Sequence, residues 1–109
     1  MTVKEISDML ATSGLAYAYY QFPDGTQQEP PFICFYFPES DDFYADNTNY
    51  VDKRRLYVEL YTNEKDFEKE ATVENLLSSN GLSYRKVETY INSERMYQIT
   101  YEMEVIING

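Results

Sequence analysis

The chain has 109 residues, 19 acidic against 9 basic for a formal charge of −10, with 12 tyrosines, six phenylalanines, one cysteine and neither histidine nor tryptophan. Without histidine the usual proton shuttle, the commonest metal ligand and any histidine-based triad are excluded; one cysteine cannot close an internal disulfide; and the acid excess repels phosphate backbones, so specific nucleic-acid binding is not expected. The length suits one domain over residues 1–109. No apolar run approaches the ~20 residues of a membrane span, and residues 1–5 lack the charged-then-apolar layout of a secretion signal, so a soluble, intracellular chain with no membrane partner is expected.

Thr2 followed by Glu5 forms a candidate capping box, and Val3, Ile6, Met9 and Leu10 recur at helical spacing up to Ser13-Gly14, which predicts a short amphipathic helix. Residues 15–21 mix tyrosines with small apolar groups and predict a strand, followed by the turn chemistry of Phe22-Pro23-Asp24-Gly25-Thr26. Pro30-Pro31 makes an extended approach to residues 32–37, FICFYF, a second strand expected to be buried on both faces or covered by a neighbouring subunit. Residues 38–50 carry four acids, no base and several aromatics, and read as an acidic, aromatic loop or arm.

Between residues 54 and 61, Leu56, Val58 and Leu60 alternate with Arg55, Tyr57, Glu59 and Tyr61, the period of a strand with one apolar face. Residues 65–79 are good helix formers, with Thr62-Asn63 as a cap and Phe67, Ala71, Val73, Leu76 and Leu77 as a broad apolar side; Asn80-Gly81 ends the helix. Residues 82–91 and 95–107 predict two strands around Asn92-Ser93-Glu94, the second placing Tyr97, Ile99, Tyr101, Met103, Val105 and Ile107 on one face. The expected fold is α+β in the order α-β-β-β-α-β-β: a mainly antiparallel sheet of about five strands with two helices on one face.

Catalytic chemistry finds little support. Glu39, Asp41, Asp42 and Asp46 match no calcium-loop spacing, and a solvated acidic loop is the default. Glu102 and Glu104, two apart on a strand, share an outer face rather than forming an acid and base pair. Phosphate-cradling, dinucleotide and nucleophile-elbow motifs are absent, so neither enzyme activity nor a cofactor is expected. Tyrosines combine a large apolar body with a water-tolerant hydroxyl, the mixture favoured at protein interfaces. Phe43, Tyr44 and Tyr50, with Asp42 and Asp46 beside them, are the candidates for one subunit contact, and Tyr57, Tyr61 and Tyr90, on a sheet edge or exposed face, for another.

Five blocks carry a resemblance: Pro30-Pro31-Phe32-Ile33; Asp42-Phe43-Tyr44-Ala45-Asp46 with Asn49-Tyr50; Glu59-Leu60-Tyr61-Thr62 with Lys65-Asp66; Glu88-Thr89-Tyr90-Ile91 with Ser93-Glu94; and residues 97–102, YQITYE. In this order the chain, from about residue 6 to 106, resembles small virion morphogenesis proteins encoded by phages and prophages of Gram-positive bacteria, in the head-to-tail and tail-completion gene block. The resemblance implies a tail terminator or tail-completion (head-tail joining) protein: a homo-oligomeric ring, commonly a hexamer, at the head-proximal end of a siphophage tail, present in host cytoplasm during assembly. Its implied partners are further copies of itself, the major tail protein and the head-tail connector protein.

A ring uses heterologous contacts and therefore two unlike surfaces on each subunit. The acid excess would let DNA slide through the channel without adhering, or keep free subunits apart. The alternatives are a head-completion or connector subunit one ring upward, and an acidic DNA-mimic inhibitor of a host protein. The latter needs a one-sided acidic surface, which Lys53-Arg54-Arg55, Arg85-Lys86 and the alternating charges along residues 64–74 interrupt.

Overall fold

The computed structural model describes residues 1–23, 28–38 and 52–107. Helix α1, Val3–Ala11, starts on the capping box: Thr2 Oγ1 accepts from the Glu5 amide at 3.0 Å, and Glu5 Oε1 accepts from the Thr2 amide at 2.7 Å. Two amides that the first turn leaves without helical partners are thus satisfied. The helix turns Ile6, Met9 and Leu10 inward.

Five strands follow in the expected α-β-β-β-α-β-β order: β1 Ala16–Tyr19, β2 Phe32–Tyr36, β3 Asp52–Thr62, then helix α2 Phe67–Ser79, β4 Tyr84–Ile91 and β5 Met96–Ile107. They form one sheet in the order β1-β2-β3-β5-β4. Neighbouring strands are antiparallel except β1 and β2, which run parallel. Parallel neighbours need a crossover rather than a tight hairpin, which accounts for the long connection from Tyr19 to Phe32 through the Pro30-Pro31 approach.

One face of the sheet carries the core. Leu56, Val58 and Leu60 of β3, Ile99, Tyr101, Met103, Val105 and Ile107 of β5, and Ile33 and Phe35 of β2 pack against α1 and against Val73 and Leu77 of α2. Both helices therefore lie on one side, as the alternation predicts. Each fully buried aliphatic side chain contributes about 1.5–3 kcal/mol relative to an exposed one. The centre of β2 is buried on both faces through Ile33, Cys34 and Phe35, while Phe32 and Tyr36 are half-buried.

Helix α2 differs from its predicted apolar side. It is capped by Asp66, whose Oδ1 accepts from the Lys69 amide at 3.0 Å, and not by Thr62-Asn63; Thr62 still belongs to β3. Its buried residues are Glu70, Val73 and Leu77, whereas Ala71 is exposed and Phe67 is 74% exposed. The helix turns Glu70 inward because two lysines meet it there: Lys65 Nζ at 2.7 Å and Lys86 Nζ at 2.8 Å. A buried carboxylate with two ammonium partners competes successfully with the apolar Phe67 and Ala71 for the inner face.

Candidate assembly surface

The alternation that sends Leu56, Val58 and Leu60 into the core sends Tyr57, Glu59 and Tyr61 to the opposite face of β3, where no helix packs among the described residues. Antiparallel register then dictates their neighbours. On β2, Tyr36 lies opposite Tyr57, Cys34 opposite Glu59 and Phe32 opposite Tyr61; on β5, Glu102, Thr100 and Gln98 lie opposite the same three. The result is an aromatic field around Glu59, with Glu102 at its margin beside Tyr57.

Glu59 is 8% exposed. Tyr36 Oη donates to its Oε2 at 2.9 Å and Tyr61 Oη to its Oε1 at 2.7 Å, while Gln98 Nε2 donates to Tyr61 Oη at 2.8 Å. Burial and then the bond to Glu59 push both phenols above the ordinary tyrosine range. The Cys34 thiol is pushed up to about 11, first by burial and then by the charge of Glu59, which leaves it an inert packing group.

The rings extend the field in both directions. Tyr61 stacks on Phe32 with centroids 4.8 Å apart, Phe32 meets Phe22 edge-on at 5.4 Å, Tyr36 lies 5.6 Å from Tyr57, and Tyr20 stacks on Tyr36 at 5.2 Å. Tyr20 holds φ 71°, a left-handed conformation unusual for a bulky residue, and its amide donates to Phe35 O at 2.8 Å. A cleft of about 450 Å³ opens at this end of the sheet, lined by Tyr20, Phe22, Phe32, Cys34, Tyr61 and Glu94 among others.

The helix-side face carries a charge network. Glu70, 3% exposed, is flanked by Lys65 and Lys86; Lys65 also pairs with Glu88, and Lys86 with Glu74 at 2.7 Å. The Tyr101 phenol donates to Glu74 Oε2 at 2.8 Å. Burial alone would raise the Glu70 pKa, but the bonds and charges of Lys65 and Lys86 outweigh it and hold the carboxyl below its ordinary value. Among the described residues no three acidic or cysteine side chains converge to hold a metal ion.

The sequence-predicted contact residues separate. Tyr57 and Tyr61 share the face on which no helix packs among the described residues, but on the central strand β3 rather than an edge. Tyr90 sits on edge strand β4 and, being opposite Tyr97 in register, belongs to the helix-side face, where it is 46% exposed and meets Tyr97 edge-on at 4.9 Å. One surface cannot contain all three, because strand alternation puts them on opposite faces. Asp42, Phe43, Tyr44, Asp46 and Tyr50 lie outside the described residues. Sequence reasoning missed Tyr36 and Glu59; the signal was the Tyr-x-Glu-x-Tyr run at residues 57–61, which puts an acid between two phenols on one face.

This architecture recurs in a solved chain of the "Virion of native gene transfer agent (GTA) particle". That chain matches with a TM-score of 0.61 and 16% identity, covering 98% of this chain and 89% of its own. At that identity the likeness is one of fold. No protein-family model matches the sequence, and no curated protein does.

Proposed function

We propose that this chain is a structural protein of a phage-type virion, and within that class a tail terminator or tail-completion subunit. In this reading copies of the chain close into a ring, commonly of six, at the head-proximal end of a siphophage tail, bind the major tail protein on one side and meet the head connector on the other. The observation that carries it is the end-to-end fold likeness to a chain of a gene transfer agent virion. The five sequence blocks that resemble tail-completion proteins supply the finer assignment.

The two faces of the sheet support an assembly role in physical terms. A ring needs two unlike patches per subunit. The aromatic field around Glu59 is one, rich in the tyrosines that dominate interface energetics. The exposed Tyr90 against Tyr97, on the other face, is a candidate for the second. A DNA-mimic reading is less well supported, because Lys65 and Lys86 offset Glu70, Glu74 and Glu88 on the helix side.

Light scattering over a wide concentration range, alone and with the matching major tail protein, tests the proposal. A closed ring, alone or on tube ends, is expected. A chain that stays monomeric with tail protein but assembles with portal-side connector protein would move the assignment one ring toward the head; one that joins neither would overturn the virion reading.

A further inference from the structure

The sheet ends on β4, and that edge is built differently from the opposite one. β1, at the other end, offers four residues, and so short an edge strand is a poor template for another strand. β4 offers eight, Tyr84–Ile91, in unbroken one-to-one register with β5 and without a proline. An unbulged strand of this length directs every second residue's amide and carbonyl away from its one neighbour. Among the described residues no strand lies beyond it, and Arg85, Lys86, Glu88, Thr89 and Tyr90 are exposed.

Charge is the usual guard of such an edge, and here it is compensated within the chain. Lys86 is held by Glu70 and Glu74, Glu88 pairs with Lys65, and Arg85 Nη1 lies 3.8 Å from Glu102. The strand itself carries two bases and one acid in a chain of formal charge −10, so two copies repel each other least here. A second copy continues the sheet, helices on the same side, when a two-fold axis stands normal to it; each β4 residue then faces one from its own face of the strand. Centring that axis on Arg85, Lys86 or Glu88 sets like charges against each other, and centring it on Thr89 leaves residues 84–86 without partners. Centring it on Val87 sets Lys86 opposite the partner's Glu88, Tyr84 opposite the partner's Tyr90, Arg85 opposite the partner's Thr89, and Val87 opposite the partner's Val87. Opposite charges and aromatic pairs are favourable cross-strand combinations, and the Lys86 and Glu88 side chains keep 37% and 44% of their surface exposed for that contact.

We infer that the free chain pairs through β4 with the β4 of a second copy, antiparallel about a two-fold axis at Val87, so that one sheet runs across both subunits. The inference goes beyond the ring reading and stands without it. A self-complementary edge is isologous and closes at two, whereas a ring runs on heterologous contacts. The pairing covers Tyr90; where the proposed ring uses that residue, the dimer precedes assembly and opens as subunits join.

The test combines light scattering of the full chain over a dilution series with single cysteines placed along β4; native Cys34 is buried, and the unsubstituted chain serves as the oxidation blank. At raised concentration the mass should double from 12.9 kDa. Val87→Cys should form a disulfide between copies under mild oxidation, because directly opposite residues bring their Cβ atoms within reach of one. Thr89→Cys alone should not, since its opposite residue is Arg85; mixed with Arg85→Cys it should link across. Val87→Lys sets two ammonium groups together at the axis and should return the mass to that of one chain, while Val87→Thr keeps the dimer. Matching circular dichroism and Tm at low concentration verify that both variants fold. A chain that is monomeric at every concentration, a dimer that survives Val87→Lys, or self-linking at residue 89 with none at residue 87 overturns the β4 pairing. A dimer lost in Val87→Lys, in a chain that joins no virion protein, overturns the virion reading alone; a ring formed with no dimer at any concentration overturns the pairing alone.

Discussion

Lys86 Nζ on edge strand β4 stands 2.8 Å from Glu70 Oε1 on α2, joining the last-placed strand of the sheet to the helix that covers its centre. The contact spans 16 residues of sequence and crosses from helix to sheet. Its partners, Glu74 and Lys65, make it a network rather than an isolated pair.

Lys86→Met should therefore destabilise the fold by about 2 kcal/mol, measured by urea unfolding. Breaking a buried pair outright costs about 3–5 kcal/mol; here Lys65 remains at 2.7 Å and the Lys86 side chain is 37% exposed, which lowers the loss. The pH dependence has two limbs. Glu70 titrates below its ordinary 4.5 in the fold, so its contribution is present above that value and is lost as pH falls through the lowered pKa. Lys86 is raised, by its bonds to Glu70 and Glu74, above 10.5, so its contribution is present below 10.5 and is lost as pH rises through the raised pKa. Glu70→Gln should flatten the acid limb; an unchanged limb would assign acid unfolding to other carboxylates.

The tyrosines should divide in an ultraviolet pH titration. Tyr36 and Tyr61 are raised by burial and by Glu59, and Tyr101 by burial and by Glu74, all from an ordinary 10.0. These three should resist ionisation until the chain unfolds. Because the unfolded chain releases those protons from pH 10.0 upward while the folded chain holds them, stability falls through the same range. Glu59→Gln should bring Tyr36 and Tyr61 down toward the ordinary value and leave Tyr101 unmoved.

Arg95→Gly should stabilise the chain by about 0.5–1 kcal/mol. Arg95 closes the β4–β5 turn at φ 53°, and its amide donates to Asn92 O at 3.3 Å. The left-handed region costs a side-chain-bearing residue about 1–2 kcal/mol, part of which glycine returns through its greater freedom when unfolded. Thermal unfolding measures the shift; a lower melting temperature would mean that the exposed arginine makes contacts worth more than the strain.

Local patterns determined much of this protein. The Thr2 and Glu5 spacing specified a capped helix, and the alternation in β3 and β5 specified which residues enter the core, because helix and strand periods act on neighbouring residues alone. The same alternation placed Tyr57, Glu59 and Tyr61 together on the other face. It carried no information on what stands beside them, so the burial of Glu59 waited on β2 bringing Tyr36 and Cys34 into register. The helix side shows the same division: residues 65–79 read as a helix, which the fold starts two residues later at Phe67, but which side turned inward depended on Lys86, supplied by a later strand. Tyr57, Tyr61 and Tyr90 looked alike as exposed aromatics, and only strand pairing separated them onto opposite faces. Charges and rings far apart in the chain meet only when the sheet order is set, and that order depends on long-range packing that no local period encodes.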